Sequence, residues 1–209
     1  MFKAKVRAAL LALALPLLLN ATHILKDDIL KLEASKLINE IGDELFSKTG
    51  INGYVIATNE PFPVGFNLVE YSKKYEERMS KPYVLFIFAP RALITEEIEQ
   101  RGRVGLIPSS DDLRSLYDYN DVRDAAVDVV STKDKNSDED KHNIGVIQAY
   151  SELAEGIAGS KGVELTKTIP NETRYFVWGL SVLVYIGSLL VLWLFVLRPL
   201  YIRIKHGRK

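Results

Sequence analysis

The chain has no cysteine, which excludes disulfides, thiolate nucleophiles and cysteine-ligated metal centres. Its 209 residues also lack a His-Glu-x-x-His element, a Gly-x-Ser-x-Gly turn and a glycine-rich phosphate loop, so the usual marks of zinc hydrolases, serine hydrolases and NTPases are missing. Histidine is scarce: His23, His142 and His206 are far apart in sequence and do not read as one site. The chain as a whole carries no net charge, with 27 basic and 27 acidic residues, but this balance hides an asymmetry. Residues 22–173 hold 18 of the basic and all 27 of the acidic side chains, a net charge of −9. A segment this acidic has no basic footprint for nucleic acid, which is therefore not expected as a partner.

Charge is absent altogether from Tyr175 to Leu197, a run of 23 residues. As a helix at ~1.5 Å per residue it is long enough to cross a hydrocarbon core of ~30 Å. Arg174 and Arg198 mark its two ends, with Tyr175, Trp178, Trp193 and Tyr201 near the interfaces where aromatic rings are favoured. The basic tail 199–209, with Arg203, Lys205, Arg208 and Lys209, is expected in the cytoplasm by the positive-inside bias, which places the acidic segment outside. At the other end, Lys3, Lys5 and Arg7 precede a twelve-residue apolar stretch, Ala8–Leu19, and then Asn20-Ala21. This pattern reads as a secretory signal, residues 1–21, either cleaved after Ala21 or retained as a signal anchor. The expected organisation is thus a signal at 1–21, an extracytoplasmic domain at 22–160, a tether at 161–173, a transmembrane helix at 174–198 and a cytoplasmic tail at 199–209.

Within the domain, Leu30, Ala34, Leu37, Ile38, Ile41 and Leu45 recur at steps of three and four, predicting an amphipathic helix from Asp27 or Asp28 to about Lys48, stopped by Gly50. Ile51–Thr58 reads as a strand. Asn67 opens a helix whose Leu68, Tyr71, Tyr75 and Met79 share a face. Tyr83–Ala89 is apolar without alternation, as expected of a central strand covered on both faces and closed by Pro90. A strand is expected over 103–107, a short helix capped by Ser109 or Ser110, another helix over 121–130, a solvated loop over 131–140 and a long helix carrying Ile144, Ile147, Ser151, Ala154 and Ile157 on one side. The fold class is α/β, a small mixed sheet flanked by helices, plus one C-terminal transmembrane helix.

Four stretches carry a family likeness: Glu44-Leu45-Phe46-Ser47-Lys48-Thr49-Gly50, the strand Tyr54-Val55-Ile56-Ala57, the apolar strand Val84–Ala89 ending in Pro90, and the helix Asn143–Ile157. In this order, behind a signal and ahead of a membrane helix, they resemble the TPM domain family of membrane-anchored extracytoplasmic proteins. The resemblance covers residues 28–160. It implies a compact α/β domain, a role in maintaining membrane or envelope protein complexes, and, for some members, divalent-cation binding with weak phosphatase activity. The chain departs from the family where an Asp-Asn-Gly element usually precedes the apolar strand; Lys81-Pro82-Tyr83 stands there instead, without a carboxylate to hold a cation.

The candidate metal ligands are Asp134, Asn136, Asp138 and Asp140, oxygen side chains at alternate positions as in a calcium loop. The match is partial, because Glu139 and Gly145 stand where an EF-hand needs its glycine and its bidentate glutamate. His142 with Asp138 or Asp140 is the one candidate acid/base pair. Arg101-Gly102-Arg103 can be read as a carboxylate or phosphate clamp, or as exposed arginines around a turn. Asp111, Asp112, Asp118, Asp121 and Asp124 read as helix caps and a wet face. No catalytic residue is assigned, and the expected partners are the lipid bilayer and another membrane or envelope protein.

Overall fold

The computed structural model describes residues 22–97, 100–133, 135–169 and 172–198, the stretch 172–181 by its backbone alone. The signal and the basic tail, expected at 1–21 and 199–209, lie outside the described residues. The chain divides into two units, up to Pro170 and from Asn171 onward.

The first unit is an α/β domain built on a four-stranded mixed sheet in the order β1-β2-β3-β4. Strand β1 is Ile24–Asp27, β2 Asn52–Ala57, β3 Tyr83–Leu93 and β4 Arg101–Pro108. The first three strands run parallel, and β4 returns antiparallel to β3, with Phe86 opposite Leu106. Helix α1, Leu32–Thr49, links β1 to β2, and the short helix α2, Leu68–Ser72, followed by a 3-10 turn Lys73–Arg78, links β2 to β3. After β4 come a 3-10 turn Asp111–Leu116, helix α3 Tyr119–Ser131 and the long helix α4 Asp138–Ser160.

The apolar runs explain the layering. Every residue of β2 is buried, as is β3 from Tyr83 to Ala89, because both strands are covered on two faces. On one face Val55, Phe86 and Phe88 pack with Ile38, Ile41 and Leu45 of α1, Val122 and Ala126 of α3, and Val146, Tyr150, Leu153 and Ile157 of α4. On the other face Tyr54, Ile56, Leu85 and Ile87 pack with Phe62, Leu68, Tyr71 and Met79 around α2. The two crossovers therefore leave the sheet on opposite faces while the strand order advances in one direction. They are of opposite hand, a departure from the usual right-handed rule.

Several boundaries differ from expectation for identifiable reasons. Residues 24–27 form a strand, not the approach to a helix: four residues are too few to show periodicity, and a bulge between Ile24 and Lys26 breaks their alternation. The bulge turns Lys26 toward the face of Ile56, so it reaches Tyr71 on the α2 side. Neither Asp27 nor Asp28 caps α1, whose N-cap is Lys31; Asp27 accepts instead from Leu30 N and Ser35 Oγ. Strand β3 runs past Pro90 to Leu93, the missing N–H falling where the β3–β4 ladder is interrupted. The first three residues of the 138–160 helix belong to what reads as a loop, since their acidic side chains suit a helix N-terminus as well as solvent.

The segment 161–173 is not a free tether along its length. Glu44 near the end of α1 accepts from Thr166 N, Thr166 Oγ1 and Lys167 N at 2.9–3.0 Å and pairs with Lys48 at 2.8 Å. Lys48 donates to Glu164 O, Leu165 packs against the core, and Ile169 N donates to Ser151 Oγ. This strap binds residues 164–169 to the domain.

The second unit is helix α5, Glu172–Leu192, continued by a π-helical turn Trp193–Leu197. Arg174 lies in the first turn of α5, its side chain outside the described residues, and Arg198 follows the π-helical turn. Among the described residues no helix is long and apolar enough to cross a membrane; described side chains of the apolar run begin at Val182. From there to Leu197 its large apolar side chains are exposed, Leu183, Tyr185 and Phe195 by 70% or more.

Candidate functional site

Where adjacent parallel strands send their connections to opposite faces, the chain parts and leaves a crevice beyond the strands' carboxyl ends. Here that point lies between β1, which continues into α1 on one face, and β2, which continues into α2 on the other. A pocket of about 680 Å³ opens there. Asp28, Ile29 and Leu30 line it from the turn after β1, Asn59 from the turn after β2, Pro90 and Arg91 from β3, Arg101 from β4, and Asp138, Glu139 and His142 from the first turns of α4.

Its walls differ in how far their charges are committed. Asp28 Oδ2 pairs with Lys26 Nζ at 3.0 Å and accepts from Thr58 Oγ1 at 3.0 Å and Asn59 N at 3.1 Å. Burial raises the pKa of this carboxyl, but these donors outweigh it and hold the group below its usual range. Lys26 also pairs with Glu60, which accepts from Tyr71 Oη at 2.9 Å, so a connected polar network lies behind the Asp28 wall. On α4, Asp140 turns away from the pocket to Lys31 Nζ at 2.5 Å and Ser137 Oγ at 2.7 Å, and Glu139 stands 3.9 Å from the same lysine.

His142 is half-buried, its ring edge-on to Phe88 at a centroid distance of 5.8 Å. Burial lowers its pKa; Asp138, one turn before it, pulls the value up and Arg91 pushes it down. Burial thus favours the neutral ring, which presents one N–H and one lone pair. No hydrogen bond joins His142 to Asp138 among the described residues, so the acid/base pair read from the sequence shares a pocket without forming a couple.

The four candidate metal ligands do not assemble among the described residues. Asp134 lies outside them, Asn136 is in the connection before the Ser137 cap, and Asp138 and Asp140 occupy the first turn of α4 with Asp140 committed to Lys31. Among the described residues no three histidine, aspartate or glutamate side chains are placed to hold a metal ion.

The Arg-Gly-Arg element is split. Arg101 lines the pocket, whereas Arg103 Nη1 donates to Phe66 O at 2.7 Å on the α2 side. The acidic residues 111–124 serve as read: Asp118 caps α3 through Asn120 N, and Asp111 and Asp124 pair with Arg114 and Arg123. Sequence reading missed Asp28, Asn59 and Arg91. Each follows closely on a residue of one of the three parallel strands, Asp27, Ala57 or Ala89, and it is the parallel arrangement that gathers these three points. No protein-family model matches the chain, and none of the curated proteins matches it.

Proposed function

We propose that this is a single-pass membrane-anchored accessory protein whose TPM-like domain lies outside the cytoplasm and engages another membrane or envelope protein through the pocket between β1 and β2. One observation carries the reading: a pocket of about 680 Å³ lined by charges of both signs opens beyond the carboxyl ends of β1 and β2. The pocket takes its α4 residues from that helix's first turns, while the strap is fastened to Glu44 and Lys48 of α1 and to Ser151 in the middle of α4. The exposed apolar side chains from Val182 onward support the anchor, since so long an apolar surface needs an apolar surrounding.

The absence of cysteine makes a direct test simple. Glu139→Cys and, as the remote control, Lys161→Cys in the full-length chain each give a unique attachment point for a photocrosslinker in native membranes. A reproducible membrane or envelope protein crosslinked from position 139 and not from 161 is expected. Equal crosslinking from both positions, or from neither, overturns the reading. The competing reading implied by the resemblance, a weak divalent-cation-dependent phosphatase, requires metal-dependent phosphoester turnover that is lost in Asp138→Asn.

A further inference from the structure

We infer that the β3–β4 side of this pocket is an oxyanion site, at which a carboxylate or phosphate group of the ligand is held by Arg91 and Arg101 with His142. The inference rests on the pocket being the binding site proposed above and names the chemistry recognised there.

Three observations carry it. Arg91 lines the pocket and makes no hydrogen bond or ion pair among the described residues, so its planar fork of donors is available for bidentate contact with an oxyanion. His142 lines the same pocket, half-buried, from the first turns of α4, and neither ring nitrogen has a hydrogen-bond partner among the described residues; an imidazole N–H is a further donor. Arg101 joins them because Leu93 opposite Arg101 in the β3–β4 ladder brings the start of β4 beside Arg91. Two of the three acids that line the pocket lie beside cations of the protein, Asp28 against Lys26 and Glu139 near Lys31. Asp138 is the exception. It faces the same space as His142 and opposes an anion, so it limits affinity and favours ligands that carry a positive group next to the oxyanion.

The test uses the full-length protein in detergent micelles and reads the imidazole Cε1–H resonances by NMR. With three histidines in the chain, His142→Gln assigns the signal. Inorganic phosphate and acetate are titrated separately against chloride at matched ionic strength. The expected result is a saturable shift of the His142 resonance and a rise in its titration midpoint, as an anion stabilises the imidazolium. Arg91→Gln should weaken binding at least tenfold, and Asp138→Asn should tighten it, with the buried His23 signal unchanged as proof of fold. A response to phosphate alone assigns a phosphoryl source, a response to acetate alone a carboxylate source, and a response to both the shared oxyanion chemistry. A His142 signal that follows chloride as it follows phosphate and acetate, or an Arg91→Gln variant that binds as the wild type does, overturns the inference. If position 139 still crosslinks a partner in that case, the pocket remains an interface and only its oxyanion chemistry is lost.

Discussion

Tyr150 Oη donates to Gly53 O across 2.8 Å between the middle of α4 and the start of β2, and both residues are buried. The same carbonyl accepts from His23 Nδ1 at 2.8 Å, so one peptide oxygen joins the residue before β1 to β2 and α4. Tyr150→Phe leaves that oxygen with its histidine donor and is expected to cost only about 0.5–1.5 kcal/mol. Gly53→Ala is worse, because a Cβ there meets Tyr150 Oη at 2.5 Å. Overpacking of this kind costs roughly 1–3 kcal/mol. Since the clash is chiefly with the hydroxyl, Gly53→Ala should cost less in the Tyr150→Phe background than in wild type. Denaturant midpoints of the four proteins check the cycle, and additive costs would show that the hydroxyl is not the obstacle.

The strap gives a pH dependence whose sign follows from Glu44. Burial raises its pKa, but Lys48 and the donors of Thr166 and Lys167 more than offset this and hold it at about 2, against 4.5 for the free side chain. A carboxylate with a depressed folded value contributes stability that is fully present above about pH 4.5 and is lost as pH falls toward about 2. The side chain is 12% exposed, so solvent screening is modest, and the contribution is of the order of 2–3 kcal/mol. Thermal midpoints measured from pH 6 to pH 2 should fall more steeply in wild type than in Glu44→Gln over this window, with the variant less stable above it. Parallel curves would mean that the strap contributes nothing to stability.

Much of this architecture is legible in the sequence, and the exceptions share a cause. Helix α1 and strands β2 and β3 are readable because enough residues repeat a period or remain apolar for burial to dictate the pattern. Strand β1 escapes because it is four residues long and bulged, and the loop before α4 is overestimated because Asp138, Glu139 and Asp140 are as natural at a helix N-terminus as in solvent. The pocket is harder still to read. Asp28, Asn59 and Arg91 are brought together by strand order, and that order includes a crossover of the uncommon hand. The spacing of Asp134, Asn136, Asp138 and Asp140 reads as a cation loop in the sequence, where neither the helix that starts at Asp138 nor the pairing of Asp140 with Lys31 is visible.

Asn143 ties the long helix to the entrance of α1. Its Oδ1 accepts from Lys31 N at 2.6 Å, and its Nδ2 donates to Ile29 O at 3.1 Å and Glu139 O at 2.8 Å. Lys31 is an N-cap without a side-chain acceptor of its own, so a residue 112 positions later supplies a bond to the start of the helix. Asn143→Asp is isosteric but removes both donors and places an acceptor against two carbonyls, and it is expected to cost about 2–3 kcal/mol. Ile29 and Leu30 line the pocket, so this variant should also weaken anion binding as read by the His142 resonance. Unchanged stability in a denaturant titration would show that the Asn143 bonds are exchanged for water without loss.

The anchor proposed for the C-terminal run predicts a partition that is simple to measure. Residues 175–197 are uncharged, and Leu189 stands near the middle of them, 66% exposed. Arginine at the centre of a crossing helix costs about 2.5–3.5 kcal/mol of insertion free energy, whereas the same change on a helix in water costs almost nothing. Alkaline carbonate extraction of membranes should leave the full chain in the pellet and release a chain ending at residue 170. Leu189→Arg should increase the extracted fraction, while Leu189→Phe should behave as wild type. The proposed topology offers its own control: protease added to the cytoplasmic side should remove the basic tail and spare residues 22–169. Extraction of the full chain by carbonate, or Leu189→Arg remaining in the pellet like wild type, would remove the bilayer from the account and leave the apolar run needing a protein surface to cover it.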